Sequence, residues 1–291
     1  MKVLLILVVL SVIGIALVVV GSIYYNEALT YEYYQFKNNK IPKVLDGKKW
    51  ILLSDLHGKN FGKHNKILIQ SIAQQKPEGI LIAGDLVLKG KPDSCKEALI
   101  FLKALVKICP VYYAPGNHET RIAYQYAGIF QEYLKQVEAL GVVYLSNKSV
   151  CLEVDGEQVR ISGLDLEQKY YGKFYENTTL YKDVIDDCVG PVETDFEILL
   201  AHNPTHFPVY AEWGADLVCA GHVHGGIVIL PFIGGLISTT YELFPTYDFG
   251  MFQEKNATMI LSRGLGVHSI PLRLFNKPEI SVIHFQQGRA E

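Results

Sequence analysis

A chain of 291 residues with 49% hydrophobic content can bury a sizeable core, as one large domain or two small ones. Its formal net charge of -3, from 27 basic and 30 acidic residues, excludes a general attraction to nucleic acid or acidic lipid. The five cysteines (Cys95, Cys109, Cys151, Cys188, Cys219) are scattered, odd in number and without Cys-x-x-Cys spacing, which excludes a disulfide framework or zinc knuckle and leaves most of them as expected core residues.

The amino terminus stands apart. Val3 to Ile23 is 21 residues without a charge, and at about 1.5 Å per residue such a helix spans a bilayer. The run is long for a signal peptide and no Ala-x-Ala-like site follows it, so residues 1–25 are expected to be an uncleaved, single-pass membrane anchor. Tyr24, Tyr25, Tyr31, Tyr33 and Tyr34 suit an interfacial aromatic belt. Lys2 before the span and Lys37, Lys40 and Lys43 after it, offset by Glu27 and Glu32, leave open the side of the membrane on which the rest of the chain lies. Residues 26–48 read as a linker and a first strand, and 49–291 as the main domain.

Trp50-Ile51-Leu52-Leu53 is a buried strand delivering Ser54-Asp55-Leu56-His57-Gly58. Lys63 to Lys76 is helix-like, closed by Pro77. Ile80-Leu81-Ile82 is a second buried strand running into Gly84-Asp85, at the carboxyl end where open α/β sheets bind ligands. Pro92 to Lys107 has apolar residues at helical spacing, and Val111 to Ala114 is a strand leading into Pro115-Gly116-Asn117-His118-Glu119. Ile129 to Leu140 is a helix stopped by Gly141, followed by a strand at Val142 to Leu145 and a hairpin of Val150–Val154 and Val159–Ile161 around Asp155-Gly156.

Leu166 to Val189 is polar and tyrosine-rich without a clean period, an insertion over the sheet. Phe196 to Leu200 is a strand ending in Ala201-His202-Asn203-Pro204, and Leu217 to Ala220 one ending in Gly221-His222-Val223-His224. Pro231 to Tyr247 reads as a loop, and Thr258 to Ser262 and Ile280 to Phe285 as closing strands.

Five blocks thus share one grammar: a strand, a tight turn, then Asp, Asn or His. Residues two apart in extended chain point the same way, so Asp55-x-His57 and His222-x-His224 are each expected to aim two ligands at one place. Mixed imidazole and carboxylate donors suit Mn, Fe or Zn, and seven candidates (Asp55, His57, Asp85, Asn117, His202, His222, His224) exceed the needs of one ion. Two ions sharing Asp85 would use them all. His64, His206, His268 and His284 fall outside the pattern and read as structural, and Arg121, Arg263 and Arg273 as surface or structural arginines rather than anion grips.

These motifs, Asp55-x-His57, Gly84-Asp85, Gly116-Asn117-His118-Glu119, His202 and Gly221-His222-x-His224, resemble those of the calcineurin-like metallophosphoesterases over Trp50 to Phe285. The stretch SRGLGVHSIPLRLFNKPEI, residues 262–280, looks like the bacterial membrane-linked branch, which includes cell-envelope phosphoesterases and enzymes resembling UDP-diacylglucosamine pyrophosphatases. The resemblance implies an α/β fold, a two-sheet β-sandwich flanked by helices. It implies one metal on Asp55, His57, Asp85 and His224, and another on Asp85, Asn117, His202 and His222. It also implies hydrolysis of a phosphodiester, pyrophosphate or phosphomonoester by a hydroxide bridging the two ions. His118, next to a ligand but outside the ligand set, is expected to protonate the leaving oxygen or stabilise the transition state. The anchor motivates a lipid-linked or envelope substrate. A non-catalytic metal-dependent module and a nuclease remain alternatives; the absence of a basic surplus disfavours the nuclease.

Overall fold

The computed structural model describes residues 2–154, 156–172, 178–226, 229–230, 234–237, 242–267 and 273–288. The first helix, α1 (Lys2–Glu27), covers the apolar run, and almost none of its Val9–Glu27 part is buried by the rest of the chain. Two residues later β1 (Thr30–Asn38) begins, and it pairs in parallel along its whole length with the last strand, β14 (Glu279–Gln287). A strand thus occupies Thr30–Asn38 within the 26–48 stretch. That corrects the aromatic belt: Tyr31 and Tyr34 bond to Ser71 and Glu279 within the domain, because strand pairing draws them in. Tyr24 and Tyr25 alone belong to the helix end.

The first sheet is built from β1, β14, β2 (Lys49–Leu53), β3 (Gly79–Ala83), β4 (Val111–Ala114) and β5 (Val143–Tyr144), in that order, and β2 to β5 are parallel. Parallel neighbours need crossovers, here α2 (Lys66–Gln74), α3 (Ser94–Leu105) and the pair α4 (Asn117–Gln125) and α5 (Ala127–Ala139). The helix expected over Lys63 to Lys76 opens with a 3-10 turn, Lys63–Asn65.

The second sheet runs β12 (Gly250–Glu254), β13 (Ala257–Leu261), β9 (Leu217–Ala220), β8 (Phe196–Ala201), β7 (Glu157–Leu164) and β6 (Lys148–Val154), with β13 to β7 parallel and an antiparallel strand at each edge. The β6–β7 hairpin occurs as expected, although Asp155 lies outside the described residues. A further small ladder joins β10 (Ile229–Leu230) and β11 (Gly234–Gly235) inside the segment expected to be loop.

Both sheets are covered on both faces, which is why their strands read as continuous apolar runs. Inward-facing Trp50, Leu52, Leu81, Tyr112, Phe196, Ile198, Leu200 and Ile260 fill the space between the sheets, with the Trp50 and Tyr112 rings stacked 5.6 Å apart. Alternate residues of the first sheet, Ile51, Leu53, Ile80 and Ile82, pack outward against α2, α3 and α5. Each such burial contributes roughly 1.5–3 kcal/mol.

The outer face of the second sheet packs on α6 (Lys182–Val189) and α7 (Phe207–Trp213). These helices and α4 are too short to show a period in sequence. The insertion does lie over the second sheet, but it is not polar on that side: Tyr170, Leu180, Ile185 and Val189 are core residues, and residues 173–177 lie outside the described set. All five cysteines are free, but only Cys95 and Cys219 are fully buried; Cys151 is exposed because it lies on the edge strand β6.

Candidate metal centre

Every expected block ends its strand at the same rim of the sandwich. Asp55 and His57 follow β2, Asp85 follows β3, and Asn117 and His118 open α4 just after β4. His202 follows β8, and His222 and His224 follow β9. All are buried. His202 Nε2 lies 3.1 Å from Asp85 Oδ2 and 3.7 Å from Asp55 Oδ1, His224 Nε2 lies 3.2 Å from Asp55 Oδ1, and the Nε2 atoms of His57 and His224 are 3.1 Å apart. Donor atoms gather in three close groups: Asp55 with His57 and His224, Asp85 with His202 and His222, and His57 with Asp85 and His118.

The backbone corrects how the side chains converge. Asp55, His57, Asp85, His222 and His224 all have positive φ, between 52° and 74°, so none continues its strand. The alternation of extended chain does not aim them. Left-handed turns do, a conformation in which Asp and His are enriched among non-glycine residues. As a result His222 and His224, two apart, turn to different groups instead of to one place.

The two sheets interlock here. His202 Nδ1 donates to the Ala83 carbonyl of the first sheet at 2.6 Å, which leaves Nε2 facing the carboxylates. In the other direction the His222 amide donates to both oxygens of Asp55, at 3.2 and 3.0 Å. Glycine permits the approach: a Cβ on Gly221 would collide with Ser54 and Asp55, and one on Gly84 would stand 2.6 Å from the Gly116 backbone.

Electrostatics follow from burial and pairing. Burial alone would raise Asp55 and Asp85, yet the surrounding imidazoles hold both carboxyls well below the usual range. Burial would lower His202, but Asp85 and Asp55 raise it to about 10. His118 is pushed down to about 3, mainly by burial. Its Nδ1 accepts from the Lys89 amide at 3.2 Å, so its proton in the neutral form is on Nε2, 3.9 Å from Asp85 Oδ2.

The donor set fits divalent metal ions: two buried carboxylates that call for positive charge, clustered imidazoles, and the Asn117 Oδ1 atom, which is buried without a hydrogen-bond partner among the described residues.

Some contributors carried no sequence signal of their own. Glu119, quoted in a motif but given no role, accepts the amides of Asp85 and Gly116 at 2.8 Å on one oxygen. Its other oxygen takes the Val87 amide at 3.2 Å and the Tyr113 hydroxyl at 2.7 Å. It ties the Asp85 turn to the start of α4; its position three residues after Gly116 is half of a capping-box signature. Tyr171, in the segment read as an insertion, has its ring 5.2 Å from that of His222, and Gln168 bonds the Asn117 carbonyl.

Arg263 pairs with Glu279 and Glu32, and Arg273 donates to the carbonyls of Arg263, Gly264 and Gly266, so both are structural, as expected. Arg121 is exposed. Outside the centre, His206 bonds the Tyr170 carbonyl and His64 faces Glu97; His268 is not among the described residues.

A two-sheet sandwich with clustered acid and imidazole donors on strand-end turns defines a metal-dependent phosphoesterase class, and the chain belongs to the calcineurin-like phosphoesterase family, whose profile matches residues 49–226. It is 30% identical over 257 residues to the uncharacterized metallophosphoesterase YkuE of Bacillus subtilis, covering 84% of this chain and 82% of that one. It is 25% identical over 254 residues to the phosphodiesterase YaeI of Escherichia coli, covering 85% and 84%. A transmembrane protein with metallophosphoesterase domain from Danio rerio is 24% identical, over 86% of this chain and 55% of that one. The protein is accordingly a hydrolase acting on phosphoesters.

Proposed function

We propose a membrane-anchored, dinuclear-metal phosphoesterase of the bacterial membrane-linked branch, cleaving a phosphodiester, pyrophosphate or phosphomonoester on a lipid-linked or envelope substrate. Residues 1–25 are the anchor, 26–48 the linker and first strand, and 49–291 the catalytic domain. One ion, Mn, Fe or Zn, is assigned to Asp55, His57, Asp85 and His224, and the other to Asp85, Asn117, His202 and His222. The observation that carries this reading is Asp85, whose carboxylate belongs both to a group with His202 and His222 and to one with His57. The name of YaeI favours a diester. The length and composition of Val9–Glu27, and its lack of cover, support the anchor.

Bound divalent ions would supply Lewis-acid polarisation of the phosphoryl group and acidify water. The chain's own part is to bind, orient and move a proton. Asp55 and Asp85 keep their negative charge, and the interlocked turns hold the imidazoles around them. His118 is assigned the protonation of the leaving oxygen, because its proton is on Nε2, facing the Asp85 side of the centre.

The test is hydrolysis of bis-p-nitrophenyl phosphate with added Mn, by the full chain in detergent and by a fragment that starts before Thr30, since β1 is part of the sheet. Turnover is expected; none with any divalent metal, on this or natural diesters, counts against the proposal. His118→Asn is expected to lose about 10²-fold or more in turnover and to keep its metal. A non-catalytic module would lose nothing.

A further inference from the structure

The carboxyl end of α1 is not a free tether. The Arg273 amide donates to the buried Ser22 hydroxyl at 3.1 Å, the Tyr25 ring lies 5.5 Å from that of Phe275, and Lys59 bonds the Asn26 carbonyl and faces Glu27 at 3.8 Å. Only Ala28 and Leu29 separate the helix from β1. The domain is therefore fixed on the helix end, and the same face of the domain must meet whatever surrounds that helix.

Phe275 stands on that face and is 55% exposed, and Leu243 and Phe244, on a segment tied to the same turn, are 64% and 59% exposed. Phe244 and Phe275 have φ of 52° and 55°, a left-handed backbone unfavourable for a bulky side chain, yet both remain more than half exposed. Their two segments flank one turn. Asn276 bonds the carbonyls of His224 and Gly226, Leu274 accepts from the Ile229 amide, and Leu243 bridges Ile237, whose carbonyl would stand 2.8 Å from a Cβ on Gly226. That turn begins at His224 of the metal centre.

We propose that Leu243, Phe244 and Phe275 seat in the interface of the bilayer that holds α1, so that the His224 rim of the centre stands at headgroup depth. This rests on the membrane-anchor reading above. The occupant is lipid because Phe275 lies against Tyr25 at the exit of an apolar helix, and exposed aromatic and aliphatic side chains beside such an exit transfer favourably into the interfacial zone.

The test uses the full chain in vesicles of phosphatidylcholine and phosphatidylglycerol. Cys109, Cys151 and Cys188 are replaced by serine, and an environment-sensitive fluorophore is attached to single variants Leu243→Cys, Phe244→Cys, Phe275→Cys, Ile13→Cys and Tyr124→Cys. Each must keep the parent's thermal melt; reading Leu243 and Phe244 separately keeps the test standing if one variant fails to fold. Quenching by spin-labelled lipid at 243, 244 and 275, comparable to that at Ile13 and absent at Tyr124, is expected. Signals at the three positions equal to Tyr124, with Ile13 quenched, overturn the seat and leave the anchor. An unquenched Ile13 overturns both.

Discussion

The two sheets contribute unequally to the centre. The first supplies both carboxylates, Asp55 and Asp85, together with His57, Asn117 and His118; the second supplies imidazoles alone, from His202, His222 and His224. Fixed negative charge, and with it affinity for cations, resides in one half of the sandwich. The other half adds imidazoles around that charge and donates the His222 amide to Asp55, while Asp85 accepts the His118 amide of its own half. A binding site divided this way exists only when the sheets are packed, so metal affinity reports on their packing.

Asp85→Asn should break this arrangement most. It removes a charge shared between donor groups, and turnover should fall by about 10³-fold or more, the scale of losing one key electrostatic contact, with metal content reduced at both positions. His202→Ala, on the other sheet, should remove one ion and retain the other, as read by elemental analysis; equal metal loss in the two variants would erase the distinction drawn between the sheets.

Gly221→Ala tests the junction itself. Its Cβ would collide with Ser54 and Asp55, and relieving that contact should cost about 1–3 kcal/mol, seen as a lower Tm and poorer metal retention. Glu119→Gln sharpens the comparison within the first sheet. A glutamine has one oxygen where Glu119 uses two, so either the amides of Asp85 and Gly116 or the partners Val87 and Tyr113 lose their acceptor. Metal affinity should weaken by roughly 10–100-fold, as for other supports of ligand residues, with the fold intact by circular dichroism.

A pH-dependent effect belongs to Glu197, buried near the start of β8, the end away from His202. Burial raises its carboxyl to about 7, and Ser162 at 2.5 Å and Arg160 at 3.5 Å lower it only in part. Its folded value is above the unfolded one of 4.5, so the stability it adds is full at acid pH and is lost as pH rises through about 7. The loss is on the order of 2 kcal/mol. The Tm of Glu197→Gln should therefore gain on that of the parent between about pH 5 and 8; a constant difference would remove Glu197 as the titrating group.

Much of the domain was legible in sequence because strands buried on both faces leave continuous apolar runs, and the chain breaks them with Gly, Asp, Asn and His where the polypeptide turns. Asp85 after Ile80-Leu81-Ile82, and His222 after Leu217 to Ala220, are visible without coordinates for that reason. The helices α4, α6 and α7 were not, since segments of seven to nine residues that pack by a few side chains carry too little period. Nor was the membership of β1 in the first sheet, which depends on pairing with residues almost 250 positions later.

Sequence by itself determined which residue types could bind metal, because ligand chemistry is a property of the side chain. Only tertiary structure decided which of them meet, because that depends on left-handed turns at Asp55, His57, Asp85, His222 and His224, and on two sheets approaching across Gly84 and Gly221. It also decided that the end of α1 lies beside the His224 turn, a contact made by Arg273 and Asn276 that no local pattern encodes.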